Sequence, residues 1–225
     1  MVSSPLDDAY ILTYLQIPVI IVGGGPAGCA TALALNRTDR TRSFVLIDDA
    51  DPAAFKVRVG RSFARFPFWI SDHQIGESLP GIAARTLGYL SPVLLDRFKQ
   101  DTSRGDHTQC TGNSSAWSSQ QLHEQYSIMN PYGSGWHLDR ALFDESLRDA
   151  VRDGCDKTNG NFVPSRLTRE RFVSVEKQDG VWSVHTEHVD TGTANCYHSR
   201  WVIDATGRKA SLSRKVSIFT RTSVE

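Results

Sequence analysis

Gly23-Gly24-Gly25-Pro26-Ala27-Gly28 is the run whose residue types and spacing point most directly to chemistry, and that chemistry is the holding of a dinucleotide pyrophosphate. In a Gly-x-Gly-x-x-Gly pattern the first glycine permits a tight turn. The second lets the backbone approach a phosphate with no Cβ in the way, and the third lets the following helix lie close to the preceding strand. Those positions are Gly23, Gly25 and Gly28. Pro26 suits a first helical turn, where its missing N–H costs nothing. The exposed amides of that turn, Ala27 among them, and the positive end of the helix dipole would face the anion. Asp48 stands 20 residues beyond Gly28. A carboxylate there accepts both hydrogen bonds of an adenosine ribose and favours it over a ribose 2′-phosphate. Glycine-rich turns are common by themselves, and the plain alternative is a surface turn before an ordinary core helix.

The elements needed to position such a site are legible on both sides of it. Ile17 to Val22 is an apolar run rich in β-branched residues, suited to a strand covered on both faces in a parallel sheet. Ala27 to Asn36 carries Ala30, Leu33, Ala34 and Leu35, a helix face fit to pack on that sheet, and Ser43 to Ile47 is a second strand with Asp48 at its carboxyl end. Ile82–Leu90 and Ser91–Gln100 read as helical, Gln100–His107 as a polar link, and Cys110–Ser119 as an extended segment facing a ligand. Within it, Trp117 fits a core or cofactor-packing residue as well as a substrate contact. Asp139 is placed to cap a helix with Phe143, Leu147, Ala150 and Val151 on one face and Gly154 as its stop. Three strands follow, Phe172–Glu176, Val181–Thr186 and Cys196–His198, with turns at Gln178-Asp179-Gly180 and Asp190-Thr191-Gly192. Arg200 to Asp204 is a further buried strand that ends in Ala205-Thr206-Gly207-Arg208. The fold class expected is α/β, a Rossmann-like βαβ sheet with a three-stranded meander inserted before the last strand.

Composition narrows the function classes. Lys plus Arg and Asp plus Glu number 25 each in 225 residues, so no global field favours nucleic acid or an anionic membrane. The four cysteines, Cys29, Cys110, Cys155 and Cys196, lack C-x-x-C spacing, and Cys29 reads as a small buried side chain after the glycine loop. A reducing, cytoplasmic setting is the simplest expectation. The seven histidines show no metal-ligand spacing, so no metal is expected. Asp7 and Asp8 precede the first apolar run, which argues against a secretory signal or a transmembrane helix.

Taken together, Val19–Ala30, Gly76-Glu77-Ser78-Leu79-Pro80, the Trp136–Leu147 helix start and Ile203-Asp204-Ala205-Thr206-Gly207-Arg208 resemble the FAD-dependent monooxygenases of the glutathione-reductase-like fold. The nearest branch is that of the flavin-dependent tryptophan halogenases and the flavoproteins that help mature tryptophylquinone oxidases. The resemblance implies FAD as cofactor. Gly23, Gly25, Pro26, Ala27 and Gly28 would hold its pyrophosphate, Asp48 its ribose, Gly76, Glu77 and Ser78 would lie near the flavin, and Thr206 and Gly207 would bring the chain back past it. Arg140 matches the family's basic cofactor contact, against the reading of an exposed arginine at a helix start. Glu77 reads better as a carboxylate bound to loop amides than as an acid or base. The implied activity is oxidation through reduced flavin and O₂ on an unidentified substrate, with a flavin reductase or a partner oxidase as possible associates. Maturation of a quinone-cofactor oxidase and a non-catalytic fragment are the alternatives. An NAD-dependent dehydrogenase is disfavoured by the meander.

The departures from the resemblance shape the domain expectation. The chain is read as one FAD/NAD(P)-binding-type domain over 1–225, its core formed by 17–56, 75–100 and 136–214, with 108–134 belonging to an incomplete substrate domain. The halogenase lysine has no equivalent, and the family's later Gly-Asp motif is missing. Segment 57–74 has neither helical nor strand period and interrupts an otherwise continuous match; its Val57 and Gln74 ends permit the boundary letters of an intron, as do Val216 and Ser217. The expectation is therefore a translated intron at 57–74, termination inside a second intron within a tail at 215–225, and weak FAD retention. A genuine loop insertion with a natural tail is the other reading.

Overall fold

Four consecutive apolar residues, Val19–Val22, form strand β1, and all four are buried, as a strand covered on both faces requires. They belong to a computed structural model that describes residues 17–39, 42–50, 78–116, 121–155 and 165–221, with side chains to residue 216. After β1 come α1 (Pro26–Thr38), β2 (Phe44–Asp48), β3 (Ser78–Leu79), α2 (Ala83–Leu90), α3 (Pro92–Ser103), β4 (Thr108–Cys110), β5 (Gly112–Ser115) and β6 (His123–Tyr126). The chain continues through β7 (Gly135–His137), α4 (Arg140–Cys155), β8 (Arg166–Gln178), β9 (Val181–His188), β10 (Ala194–Ser199), β11 (Trp201–Asp204) and α5 (Ser211–Arg221). Two compact units result, one from Met1–Ala50 with Gly154–Glu225 and one from Asp51–Asp153.

The first unit is a six-stranded sheet in the order β10-β9-β8-β2-β1-β11. β1 runs parallel to both β2 and β11, and β2 runs parallel to the start of β8. β8, β9 and β10 form the antiparallel meander expected from sequence. Its first turn is Asp179-Gly180, both with positive φ (51° and 81°), the backbone that a two-residue hairpin loop favours. β8 starts at Arg166, six residues before the reading from Phe172, because its first half is charged. The charges have partners: buried Glu170 accepts from the Tyr197 hydroxyl at 2.7 Å, from Asn195 Nδ2 at 3.2 Å and from Thr186 Oγ1. A register shift between Phe172 and Ser174 marks a bulge within the antiparallel pairing of β8 with β9, shortly after the parallel pairing with β2 ends at Arg169.

Although β10 and β11 lie at opposite ends of the strand order, Arg200 alone separates them in the chain. The sheet therefore folds back on itself, and the Ile17 amide donates to the His198 carbonyl at 3.0 Å. Ile20, Val22, Val45 and Ile47 of the parallel layer meet Val175, Val184 and Tyr197 of the meander and Leu212 of α5 in one buried cluster. On the opposite face α1 packs on the sheet, its Cys29, Ala32 and Leu33 buried.

In the second unit, α2 and α3 are followed by a three-stranded sheet, β3-β7-β4, and a two-stranded one, β5-β6. Ser91 caps α3 by accepting from the Leu94 amide at 3.3 Å, and Pro92 takes the first helical position. Phe98 packs against His107, Trp136 and Phe143 with ring centroids 5.0, 5.1 and 5.9 Å apart. The stretch 100–107 is not the polar link expected from its composition: α3 runs to Ser103, and both Asp101 and His107 are buried. Asp101 is neutralised by an ion pair with Arg104, and His107 Nδ1 accepts from the Asp139 amide at 3.2 Å. Asp139 in turn caps α4 as expected, its Oδ1 accepting from the Leu142 amide at 3.0 Å. Gly154 does not stop α4 but lies inside it, where a Cβ would meet Asn36 Nδ2 at 2.8 Å. It serves close packing rather than termination. The 57–74 segment, Gly76, Glu77 and Trp117 lie outside the described residues.

Candidate dinucleotide site

The carboxyl ends of β2, β1 and β11 converge on the glycine loop. The Gly23 amide donates to the Ile47 carbonyl at 2.8 Å, and the Ala205 amide donates to the Val22 carbonyl at 2.8 Å, so the loop leaves the sheet between its two neighbours. Gly23 has φ +108°, and a Cβ on it would lie 2.4 Å from the Ala205 carbonyl oxygen. Both facts demand glycine. A Cβ on Gly28 would fall 1.8 Å from the Gly23 carbonyl oxygen and 3.2 Å from Leu46, so α1 crosses the strand at a separation that only glycine allows. Gly25 differs: its Cβ would meet nothing within 4 Å. It opens onto free space directly before α1.

The start of α1 is prepared for negative charge. Pro26 occupies the first turn, no acidic residue lies there, and the N-cap Gly25 contributes no side chain. Cys29 is fully buried and its Sγ donates to the Gly24 carbonyl at 3.3 Å, which secures the loop from beneath. At the end of β2, Asp48 packs on the loop: a Cβ on Gly24 would lie 2.4 Å from the Asp48 carboxylate. Gly24, which the motif treats as a free position, is thus required by the neighbouring acid. The run of three glycines was its only trace in the sequence.

Beyond β11 the chain turns on Asp204. Its Oδ1 accepts from the Thr206 amide at 3.0 Å and the Thr206 hydroxyl at 2.6 Å, while Oδ2 accepts from the Ser213 amide and hydroxyl at 2.8 and 2.5 Å. Thr206 Oγ1 also accepts from the Ser211 amide at 2.7 Å. Burial opposes the charge on Asp204, but the Ser213 and Thr206 hydrogen bonds outweigh it and hold the carboxyl below its usual range. The sequence motif gives Asp204 no role, and an acid followed two residues later by threonine at a strand end is the signal for one. Thr206 spends both its amide and its hydroxyl inside this turn. Gly207, with φ +64° and open space at its Cβ position, is the residue of the pair that faces outward.

Of the residues singled out from sequence, Gly23, Gly25, Pro26, Ala27, Gly28, Asp48, Thr206 and Gly207 gather at these strand ends within the first unit. Ser78 and Arg140 belong to the second. Ser78 Oγ is hydrogen-bonded to His137 Nδ1 at 3.0 Å across the β3–β7 pair. Arg140, mostly buried, places Nε and Nη2 on the two carboxylate oxygens of Asp144 at 3.2 and 3.1 Å. That fork-to-fork geometry is unlike an exposed arginine at a helix start. Among the described residues no group of histidine, cysteine or acidic side chains could hold a metal, and no helix is long and apolar enough to cross a membrane.

Known proteins share this architecture. The chondrochloren halogenase CndH, a myxobacterial FAD-dependent halogenase, superposes with a TM-score of 0.62 at 21% identity over 89% of this chain and 39% of its own. The flavin-dependent halogenase CmlS gives 0.61 at 19% identity over 91% and 32%. The flavin-dependent monooxygenase PieE, solved with FAD and substrate, gives 0.59 at 20% identity over 90% and 32%. The fold is that of the flavin-dependent halogenases and monooxygenases. In sequence the chain is 27% identical over 201 residues to LodB of Marinomonas mediterranea, assigned as an FAD-dependent oxidoreductase, covering 88% of this chain and 45% of that protein. The chain thus spans less than half the length of each of these relatives, and the flavoprotein fold is shared over that part. No protein-family model matches.

Proposed function

We propose that this chain is the dinucleotide-holding part of an FAD-dependent oxidoreductase of the monooxygenase and halogenase type. The observation that carries the reading is the contrast inside the glycine loop. Gly23, Gly24 and Gly28 are each required by a neighbouring protein atom, whereas Gly25 opens onto space at the amino end of α1, beside a carboxylate fixed on the loop. A pyrophosphate on the α1 amides with an adenosine ribose at Asp48 accounts for both the open position and the acid. Likeness in sequence to an FAD-dependent oxidoreductase and in fold to flavin enzymes favours FAD over NAD.

In this reading Gly23, Gly25, Pro26, Ala27 and Gly28 hold the pyrophosphate, Asp48 the ribose, and Gly207 passes beside the cofactor on a turn shaped by Thr206. The reduced flavin, when bound, supplies the oxygen chemistry, and the chain's own share is binding, orientation and exclusion of water. Titration of the purified protein with FAD or NAD decides between cofactors. FAD is expected to raise the melting temperature and show perturbed visible flavin bands, since a ligand at about 100 times its Kd adds about 2.7 kcal/mol. Stabilisation by NAD and not by FAD would reverse the assignment.

A further inference from the structure

Two chain segments meet at the glycine loop, and only one carries the glycine signature. The other is the turn from Ala205 to Ala210, whose carbonyl at Ala205 lies where any side chain on Gly23 would have to go. A turn in that position forms one wall of the loop, so where it rests decides the space beside Gly23. Its backbone is not of a kind that holds itself in place. Gly207 has φ +64°, and Ala210, which is not a glycine, has φ +44°. Left-handed backbone at an alanine is maintained only where its surroundings dictate it.

The Ala205 amide is fixed on the Val22 carbonyl and the Ala210 amide on the Gly207 carbonyl, and one carboxylate joins the two sides of the turn. We propose that Asp204 is a positioning residue that locks the Ala205–Ala210 turn against the glycine loop and thereby sets the affinity of the dinucleotide site. It gathers four donors from two sides of the turn, the amide and hydroxyl of Thr206 on one oxygen and the amide and hydroxyl of Ser213 on the other. The Thr206 hydroxyl hands the constraint on to the Ser211 amide at the start of α5. α5 is itself anchored by Leu212 in the core between the parallel layer and the meander. The carboxylate therefore ties the end of β11 to a buried helix start and leaves the intervening turn one shape. A neutral carboxamide of the same size keeps an acceptor for Thr206 but turns an N–H₂ toward the Ser213 amide, so charge and geometry fail together on that side.

The link to affinity rests on the FAD reading, whereas the lock itself does not, and the test separates them. Amide hydrogen exchange and FAD binding are measured on the wild-type chain, on D204N, on T206V and on the double variant, at a temperature where circular dichroism shows each fully folded. In D204N the amides of Thr206, Ser211 and Ser213 are expected to exchange faster while the β1 and β2 ladder is unchanged. FAD binding should weaken about tenfold, the worth of one hydrogen bond to a charged group. T206V, which removes the hydroxyl that joins Asp204 to Ser211, should weaken binding in the same direction and non-additively with D204N. Should D204N fail to fold, T206V carries both measurements. Unchanged exchange at Ser211 and Ser213 overturns the lock. Faster exchange with wild-type FAD affinity overturns its role in binding. A wild-type chain that takes up no FAD refutes the cofactor reading and with it the affinity claim, and exchange alone then decides the lock.

Discussion

The glycine loop of the first unit and the cleft of the second are both open to a small molecule, and they are built in opposite ways. The loop is made almost entirely of backbone at the ends of three parallel strands. The cleft, about 360 Å³, lies among Ser78, Trp136, Asn113, Gln125 and Asn130 on the short strands and turns of the second unit, and among the described residues no charged one lines it. A site made of backbone must exclude side chains, so it writes itself into the sequence as glycines at fixed spacing. A site made of side chains on short strands uses ordinary polar residues, and nothing in their spacing sets them apart. The two regions also differ in what a substitution reaches first. In the loop, glycines that meet protein and the one that opens onto space are separated position by position; in the second unit, buried Asp101, Asp144 and Arg148 are committed to ion pairs and His107 to the Asp139 amide.

That separation can be broken by experiment. The largest loss is expected from G28A, whose Cβ would overlap the Gly23 carbonyl: about 3 kcal/mol in urea unfolding, with FAD uptake lost as well. Next comes H107A, which empties a place in the aromatic cluster and deprives the Asp139 amide of its acceptor, at roughly 2 kcal/mol by the same measurement. His107 also gives the second unit a pH dependence. Burial lowers its pKa below the ordinary 6.5, against the pull of Asp101, Asp139 and Asp106, so the folded state binds the proton less readily than the unfolded chain. Its contribution is complete above pH 6.5 and is lost as the pH falls from there toward the lowered folded value. Denaturation midpoints of wild type should therefore decline over that window by more than those of H107A. S91A, removing the α3 cap, should cost about 1 kcal/mol and leave FAD binding as it was.

The smallest change in stability carries the sharpest distinction. G25A places a methyl in open space and should alter unfolding by no more than about 0.5 kcal/mol. It should nevertheless weaken FAD binding about tenfold or more, because the methyl occupies the approach of the pyrophosphate. Equal losses of stability in G25A and G28A would show that the loop has no ligand-facing member.

Much of the fold was legible because its local rules agree. The β1–α1–β2 unit, the α4 face of Phe143, Leu147, Ala150 and Val151, and the Asp179-Gly180 hairpin each follow from periodicity or turn chemistry within a dozen residues. What escaped was polar sequence that ends up buried. The charged start of β8 looked unlike a strand because Glu170 finds Tyr197, Asn195 and Thr186 from two other strands. His107 looked like part of a link because the amide it serves comes from Asp139, 32 residues away.

The sequence alone determined that a strand, a glycine turn and a helix would assemble with an acid 20 residues on, since sterics and hydrogen bonding over short spans leave little choice. Tertiary structure alone decided which glycine opens onto space and which ones face protein, because that depends on where Ala205 and Asp48 come to rest. It also decided that Asp204 binds the Thr206 turn to the start of α5. A carboxylate gains that role only when folding brings donors from the start of another helix within hydrogen-bonding distance.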